Sequence, residues 1–406
     1  MEKLILGNLT QRKIGYGIVQ PGNNIYSGVH VIKVYNIMAG LSKLSDLDLT
    51  ATEIEEKYSR TRLKGGELIV SIVGTIGKTA IVPKEFAGCN IVRAIALIDI
   101  KEEFLSLWTK YYIDSPKGQE YIKGNLNTTV QPTLNIKSLS NMPIPFYGTV
   151  YTKKAVNILS TIDNKIQLNK QINENLEQQA QALFKSWFVD FEPFKDGKFV
   201  DSELGMIPEG WRVGYYTELV DIKGGGTPKT NIKEFWNGSI PFFSPKDIGP
   251  SCFVLNTEKY ITTNGLENCN SNLFPPYSVF ITARGTVGKV VMVGSEMAMN
   301  QSNYALLGKQ NISQFYVYLI TLQLVSHLLK KANGAVFNAI TTRDFASERI
   351  IIPFYSIIKS FSSIVKPIYE NILLNEFQIK SLSQLRDTLL PRLMSGELEI
   401  KDNSYD

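Results

Sequence analysis

Residues 67–82 read ELIVSIVGTIGKTAIV, and residues 278–293 read SVFITARGTVGKVVMV. At an offset of 211 the apolar positions fall into register, and Gly74-Thr75-Ile76-Gly77-Lys78 lies over Gly285-Thr286-Val287-Gly288-Lys289. Internal self-similarity decides a fold reading before any single motif does. Downstream, PIPFY (143–147) lies over IIPFY (351–355) at offset 208. The helical stretch beyond it matches at 206, with Ile158, Ile162, Ile166, Leu176 and Leu183 over Ile364, Ile368, Ile372, Leu382 and Leu389. A slowly drifting offset is what loops of unequal length leave behind when the elements between them are kept. The chain is a tandem duplication, a globular unit followed by a long helix, twice.

The globular units read as strand-rich α+β. Short β-branched runs such as VHVIKV, ELIVSIV and KVVMVG alternate with Gly and Asn-Gly turn signals. GTIGK joins two strands as a tight turn with its glycines at positions unfavourable for other residues. Helical patches are expected over 104–123 and 315–332. Residues 152–188 hold neither Pro nor Gly. Their apolar residues recur at the 3-4 spacing of a narrow seam. The seam comprises Leu159, Ile162, Ile166, Asn169, Leu176 and Leu183 in the first copy, and Val365, Ile368, Ile372, Asn375, Leu382 and Leu389 in the second. Pro367 suggests that the second helix starts close to it, and Pro391 suggests a kink or an end.

Asn169 and Asn375 take the same seam position. A lone seam Asn trades stability for register, and a partly exposed polar site is the plainer alternative. Helices this long cannot be buried within one small domain, so each is the other's natural partner. If they pack antiparallel, a pseudo-two-fold axis relates the units, and Asn169 and Asn375 meet near it. The expected organisation is a first unit at 1–150, a spacer helix at 151–190 and a linker at 191–206. A second unit at 207–355, a helix at 356–398 and a tail at 399–406 complete it. Two unlike units spaced along a rod suit a duplex read at two places, with an asymmetric, bipartite target.

Composition narrows the chemistry. Of 406 residues, 43 are Lys or Arg and 38 are Asp or Glu, a net charge of +5 that permits a polyanionic partner without requiring one. The cysteines, Cys89, Cys252 and Cys269, form no C-x-x-C pair and suit a reducing, cytoplasmic compartment. With His30 and His327 the only histidines, neither a zinc site nor a Ser-His-Asp triad is expected. The start, MEKLILGNLT, lacks a signal-peptide pattern, and no apolar run is long enough to span a membrane.

Several longer segments resemble the DNA-specificity (S) subunit of type I restriction-modification systems. In the second half these are IPEGW (207–211), GGGTPKT (224–230), NGSIPFFSPKDI (237–248), TARGTVGK (282–289) and RDTLLPRLMSGEL (386–398). In the first half they are GYGIVQPG (15–22), GTIGK, TTVQPTLNIKSLSNMPIP (128–145) and LEQQAQALFKSWFVDFEPF (176–194). The first half lacks a counterpart of IPEGW. The resemblance implies two target-recognition domains, each binding one half of a split site in double-stranded DNA. It implies an antiparallel coiled coil that spaces them and docks two methyltransferase subunits, with restriction subunits joining the assembly. This chain would be non-catalytic; S-adenosylmethionine, ATP and Mg would belong to the partners, and no metal is expected here. Without the resemblance, two β-rich binding modules on a coiled-coil strut remain the alternative.

Other motifs have plainer readings. GTIGKT lacks the first Walker A glycine, since Ile72 stands there. Pro275-Pro276-Tyr277 has Phe274 where an amino-methyltransferase box needs Asn, Asp or Ser, and reads as a turn before a strand. Gly224-Gly225-Gly226 reads either as a phosphate cradle or as a flexible loop. FKSWFVDFEPF at a helix end reads as a packing element. The DNA-contact candidates are polar turn residues, with Lys and Arg anchoring phosphate and Asn, Gln, Ser and Thr meeting base edges. They are Thr75, Lys78, Thr128 and Gln131 in the first unit, and Thr227, Lys229, Lys246, Arg284, Lys289, Asn303 and Asn338 in the second.

Overall fold

The structure is a computed structural model and describes residues 2–41, 43–127, 131–331 and 339–400. The chain divides into two compact units. The first takes the chain up to Lys165 and again from Leu382 onward; the second runs from Ile166 to Ser381. Each long helix therefore starts in one unit and ends in the other. Thr128 and Asn338 lie outside the described residues.

In the first unit an antiparallel four-stranded sheet has the order Gly15–Tyr16, Ile95–Ile98, Leu68–Ser71, Thr79–Ile81. A three-stranded sheet orders Asp48–Thr50, Val29–Ile32 and Asn90–Ile91, the last pair parallel. Glu2–Ile5 pairs with Pro143–Phe146. The second unit repeats the plan. Val220–Gly224, Asn303–Gly308, Val279–Thr282 and Val290–Val293 form the same antiparallel order, extended by Phe253–Val254. Lys259–Ile261, Trp236–Phe243 and Ala298–Met299 form the three-stranded sheet, and Arg212–Tyr215 pairs with Arg349–Ile352.

The last pairing corrects the sequence alignment. Leu4 faces Ile144 and Gly214 faces Ile350, so the strand before the helix repeats at 206, two residues from the Pro-Phe-Tyr match. A slip of two leaves every side chain on its face, so the apolar pattern alone does not reveal it.

The first helical patch is two helices, Glu103–Asp114 and Pro116–Gly124. Pro116 opens the second, and Ser115 caps it through Gly118 N–H. Trp108 is wholly buried and donates from Nε1 to Pro145 O at 2.6 Å, tying the first of these helices to the strand that feeds the long helix. In the second unit the patch is one helix, Gln314–Lys331.

The long helices, Thr149–Phe188 and Tyr355–Met394, have 40 residues each. Within each unit they run antiparallel. In the first, Tyr151 Oη donates to Leu393 O at 3.1 Å and Arg386 bonds Asp163 at 3.0 Å. In the second, Asn169 bonds Gln378 at 3.1 Å, and the Phe184 and Phe361 rings lie 5.9 Å apart. Pro367 neither starts nor breaks the second helix, which begins twelve residues earlier. A mid-helix proline costs about 3 kcal/mol. Burial of Ile358, Phe361 and Val365 ahead of it, at about 1.5–3 kcal/mol each, outweighs that. Pro367 and the Ser363 whose carbonyl it frees are both exposed, so that carbonyl is not left buried without a partner. Pro391 is likewise followed by helix, which ends at Met394 before Gly396 at φ +70°.

Of the seam residues, Leu159, Ile162, Ile166, Asn169, Val365 and Ile372 are buried; Leu176, Leu183, Ile368, Asn375, Leu382 and Leu389 are half-buried. In the second helix Tyr369 and Leu390, one residue past the half-buried Ile368 and Leu389, are buried as well. Asn169 and Asn375 share one polar layer, offset by a helical turn. Asn375 donates to Asn173 Oδ1 at 2.8 Å, and Asn173 donates to Glu376 at 2.9 Å. Asn173, 7% exposed, is a second seam asparagine that the apolar pattern passed over. Asn375→Leu strips the donor from a buried carbonyl oxygen. It is expected to destabilise the second unit by about 1–3 kcal/mol, read as a lower urea midpoint; an unchanged or higher midpoint contradicts this.

Residues 191–206, read as a linker, pack into the second unit: Phe191 and Phe194 place their rings 5.6 and 5.0 Å from that of Trp211. Phe184 and Phe188 of the FKSWFVDFEPF segment are core residues there. Among the described residues no group of His, Cys, Asp and Glu is arranged to hold a metal ion, and no helix is long and apolar enough to cross a membrane.

Candidate nucleic-acid interface

The repeated turn is built the same way twice. Gly74 and Gly77 have φ of 76° and 83°; Gly285 and Gly288 have 80° and 83°. That region is open to glycine and costly to residues with a Cβ. A hydroxyl at the end of the preceding strand locks the turn. Ser71 Oγ donates to Thr75 O at 2.6 Å and accepts from Lys78 N–H at 2.8 Å. Thr282 Oγ1 donates to Thr286 O and accepts from Lys289 N–H at 3.0 Å. Thr75, Lys78, Arg284 and Lys289 are exposed on these locked turns.

Three further segments meet each turn at one end of the paired sheets. In the first unit Ile18 N–H donates to Ile91 O (2.8 Å), Val92 N–H to Ile32 O (3.2 Å) and Ile72 N–H to Ala94 O (2.8 Å). In the second, Gly226 N–H donates to Met299 O (3.1 Å), Asn300 N–H to Phe243 O (3.0 Å) and Ala283 N–H to Ser302 O (2.8 Å). The segments 17–20, 33–36, 72–78 and 92–94 thus correspond to 225–228, 244–247, 283–289 and 300–302. The second segment is a capped turn in both: Asn36 Oδ1 accepts from Lys33 N–H at 2.8 Å, and Asp247 Oδ2 from Ser244 N–H at 2.7 Å. Tyr35 and Lys246 stand exposed one residue before the capping side chain.

Two glycines make the meeting possible. A Cβ on Gly17 would lie 1.8 Å from Ile91 O, and one on Gly225 would lie 2.2 Å from Asn300 O. A Cβ on Gly226 would lie 2.5 Å from Asn270 N. At Gly225 and Gly226 the missing Cβ lets two backbones touch, and the Gly226 N–H is already spent on Met299 O.

Thr227, Lys246 and Arg284 come from three of these segments. Lys229 follows two residues after Thr227, and Lys289 closes the same turn as Arg284; all five are exposed. Gln131 is exposed beside the bridge between Val73 and Thr133. Asn303 is a correction. It is fully buried opposite Thr282 in the sheet, and its Nδ2 donates to Asn300 Oδ1 at 2.6 Å, so it braces the loop from below. Asparagine is common in turns, and nothing local marks this one as a strand residue.

Lys78 and Lys289 differ in surroundings. Lys78 lines a cleft with Lys110, Tyr111, Asp114, Asp163 and Arg386. Tyr111 donates to Asp163 at 2.8 Å; burial, then the Asp163 charge, raises its phenol above the usual tyrosine range. The sequence reading passed over Arg93 and Gln301, which are exposed at corresponding places on the fourth segment. Only the hydrogen-bond register aligns them, because the residues around them share little.

The model of the type I restriction modification DNA specificity domain matches residues 22–178 and, a second time, 208–384. The chain belongs to this family. Each match covers most of one copy of the duplication and runs on into the long helix that follows. Among relatives, the type I restriction enzyme MjaIX specificity subunit of Methanocaldococcus jannaschii is 28% identical over 308 residues, 74% of this chain and 71% of that one. The putative MjaX specificity subunit of the same organism is 25% identical over 95% of this chain and 91% of its own length. A crystal structure of a type I restriction-modification system S subunit from M. genitalium shares the fold, with a TM-score of 0.58 over 98% of this chain and 96% of that one at 13% identity. As a member of the specificity family the chain supplies DNA recognition to a type I restriction-modification system, a non-catalytic role.

Proposed function

We propose that each unit reads one half of a bipartite, asymmetric site in double-stranded DNA through its loop cluster. The observation that carries this is a four-segment cluster kept in backbone and hydrogen bonding between the units, with different exposed side chains on it. A kept frame with changed side chains is what two readers of unlike sequences need. The antiparallel helices present the surface on which two methyltransferase subunits dock, and restriction subunits join that core. Methyl transfer and cleavage belong to those partners, together with S-adenosylmethionine, ATP and Mg. The assembly works in the cytoplasm, where the DNA is.

In this reading Lys78 and Lys289 are phosphate anchors, because the same residue on the same turn cannot distinguish two different half-sites. Lys289→Ala in the assembled complex is expected to weaken duplex binding alike for all sequences. The plot of log affinity against log salt should become shallower by about one unit. Lys78→Ala should act in the same direction but less, since Asp114 and Asp163 share its cleft. A changed sequence preference with an unaltered salt slope would refute the assignment. Duplex binding without any salt dependence would favour a scaffold over a DNA reader.

A further inference from the structure

Resting on that reading, we infer that Arg93 and Gln301 are base-reading residues at one shared position of the two units, Arg93 for a guanine and Gln301 for an adenine. The position is fixed by backbone hydrogen bonds on three sides. Val92 N–H reaches Ile32 O, Arg93 N–H reaches Ile18 O and Ala94 O receives Ile72 N–H; Asn300 N–H and Ser302 O make the first and third of these contacts in the second unit. A residue on so constrained a segment presents its side chain from a rigid platform, as discrimination between bases requires.

The two side chains share one property, a planar end that makes two parallel hydrogen bonds, and differ in charge. A neutral glutamine releases no counterion, so what the two positions share is the planar end rather than a charge for phosphate. In the major groove a guanidinium matches the O6 and N7 acceptors of guanine, and a carboxamide matches the donor and acceptor of adenine N6 and N7. Arg93 is exposed and makes no ion pair or hydrogen bond through its side chain among the described residues, whereas Arg12, Arg62 and Arg386 of the same unit are each paired with carboxylates. Gln301 is exposed, and its Oε1 accepts from Thr227 Oγ1. That bond orients the amide and leaves Nε2 and the second lone pair of Oε1 for a base. In the first unit Val19 takes the place of Thr227, and arginine's fixed fork is planar without a neighbour to hold it.

The test uses the full chain assembled with its methyltransferase subunits and a library of randomised duplexes. For Arg93→Lys, which keeps the charge and loses the fork, discrimination should fall about 5- to 150-fold at a single G·C pair of one half-site. The remaining positions and the other half-site should be unchanged. Gln301→Ala should relax a single A·T pair of the other half-site by a similar factor. Retention of the full wild-type motif by both variants, or a uniform loss of affinity across all sequences, would overturn the assignment while leaving the recognition reading intact. Selection of no motif by the wild-type assembly would overturn the recognition reading and this assignment together.

Discussion

Exchanging residues 1–148 for the matching segment of another family member is expected to replace one half of the recognised sequence and leave the other half as it was. The expectation follows from how the unit is closed. All four segments of its loop cluster lie before Gly148, where φ is +84° and the long helix begins one residue later. The core behind the cluster is shared with the helices: Ala155, Val156 and Leu159 on one and Leu390, Leu393 and Met394 on the other pack with Trp108, Ile98 and Ile144. A donor segment must therefore offer a comparable apolar face. The residue answering to Tyr111 should also reach the Asp163–Arg386 pair, an ion pair less than a third exposed on either side. Given that, affinity for the exchanged half-site should switch completely, a change of several orders of magnitude between old and new sequences on the scale by which specific exceeds non-specific DNA binding. Binding selections with the chimaeric assembly measure it. Alteration of both half-sites together would contradict independent readers.

Phe361→Ala is expected to cost the second unit about 3–5 kcal/mol. The ring is wholly buried, with the rings of Phe188 at 4.9 Å, Trp187 at 5.6 Å, Phe184 at 5.9 Å and Tyr316 at 6.4 Å. Removing it opens a void lined by rigid aromatics that have few rotamers with which to fill it. The same helical position in the first copy is Ala155, also wholly buried, in a core that includes Trp108 and Ile144. One scaffold thus carries two unlike cores, and the reciprocal Ala155→Phe should be costly through overpacking. Because the chain has two compact units, the readout is the unfolding transition of the second unit, followed by hydrogen exchange along 279–306, rather than a single midpoint. A loss below about 1 kcal/mol would mean that the aromatic cluster relaxes around the gap.

Much of this architecture is written in periodicities. The duplication shows in residues 67–82 and 278–293 because both place a buried or half-buried strand on each side of a glycine turn, and such positions tolerate few side chains. The pairing of the two long helices shows because a seam repeats over many turns, whereas their antiparallel direction comes only as what the resemblance implies. What stays hidden depends on contacts between distant residues. The Ser71 and Thr282 locks look like ordinary strand residues. Gly17 and Gly225 look like turn glycines, yet their task is to let two backbones touch. Asn303 has a turn residue's chemistry in a buried strand. Pro367 breaks helices on propensity, and only the buried face of the helix that carries it shows why it does not here. Arg93 and Gln301 share no sequence context; the hydrogen bonds on either side of them reveal that they are one position.

The most direct test of the account is a map of methylated bases in a host that makes the methyltransferase subunits with and without this chain. The account predicts methylation at one asymmetric motif of two short halves separated by a fixed spacer, present only with the chain. Under Arg93→Lys one half should be relaxed at a guanine. An unchanged methylation map without the chain, or a single uninterrupted palindrome with it, would contradict the claim that two unlike units supply the address.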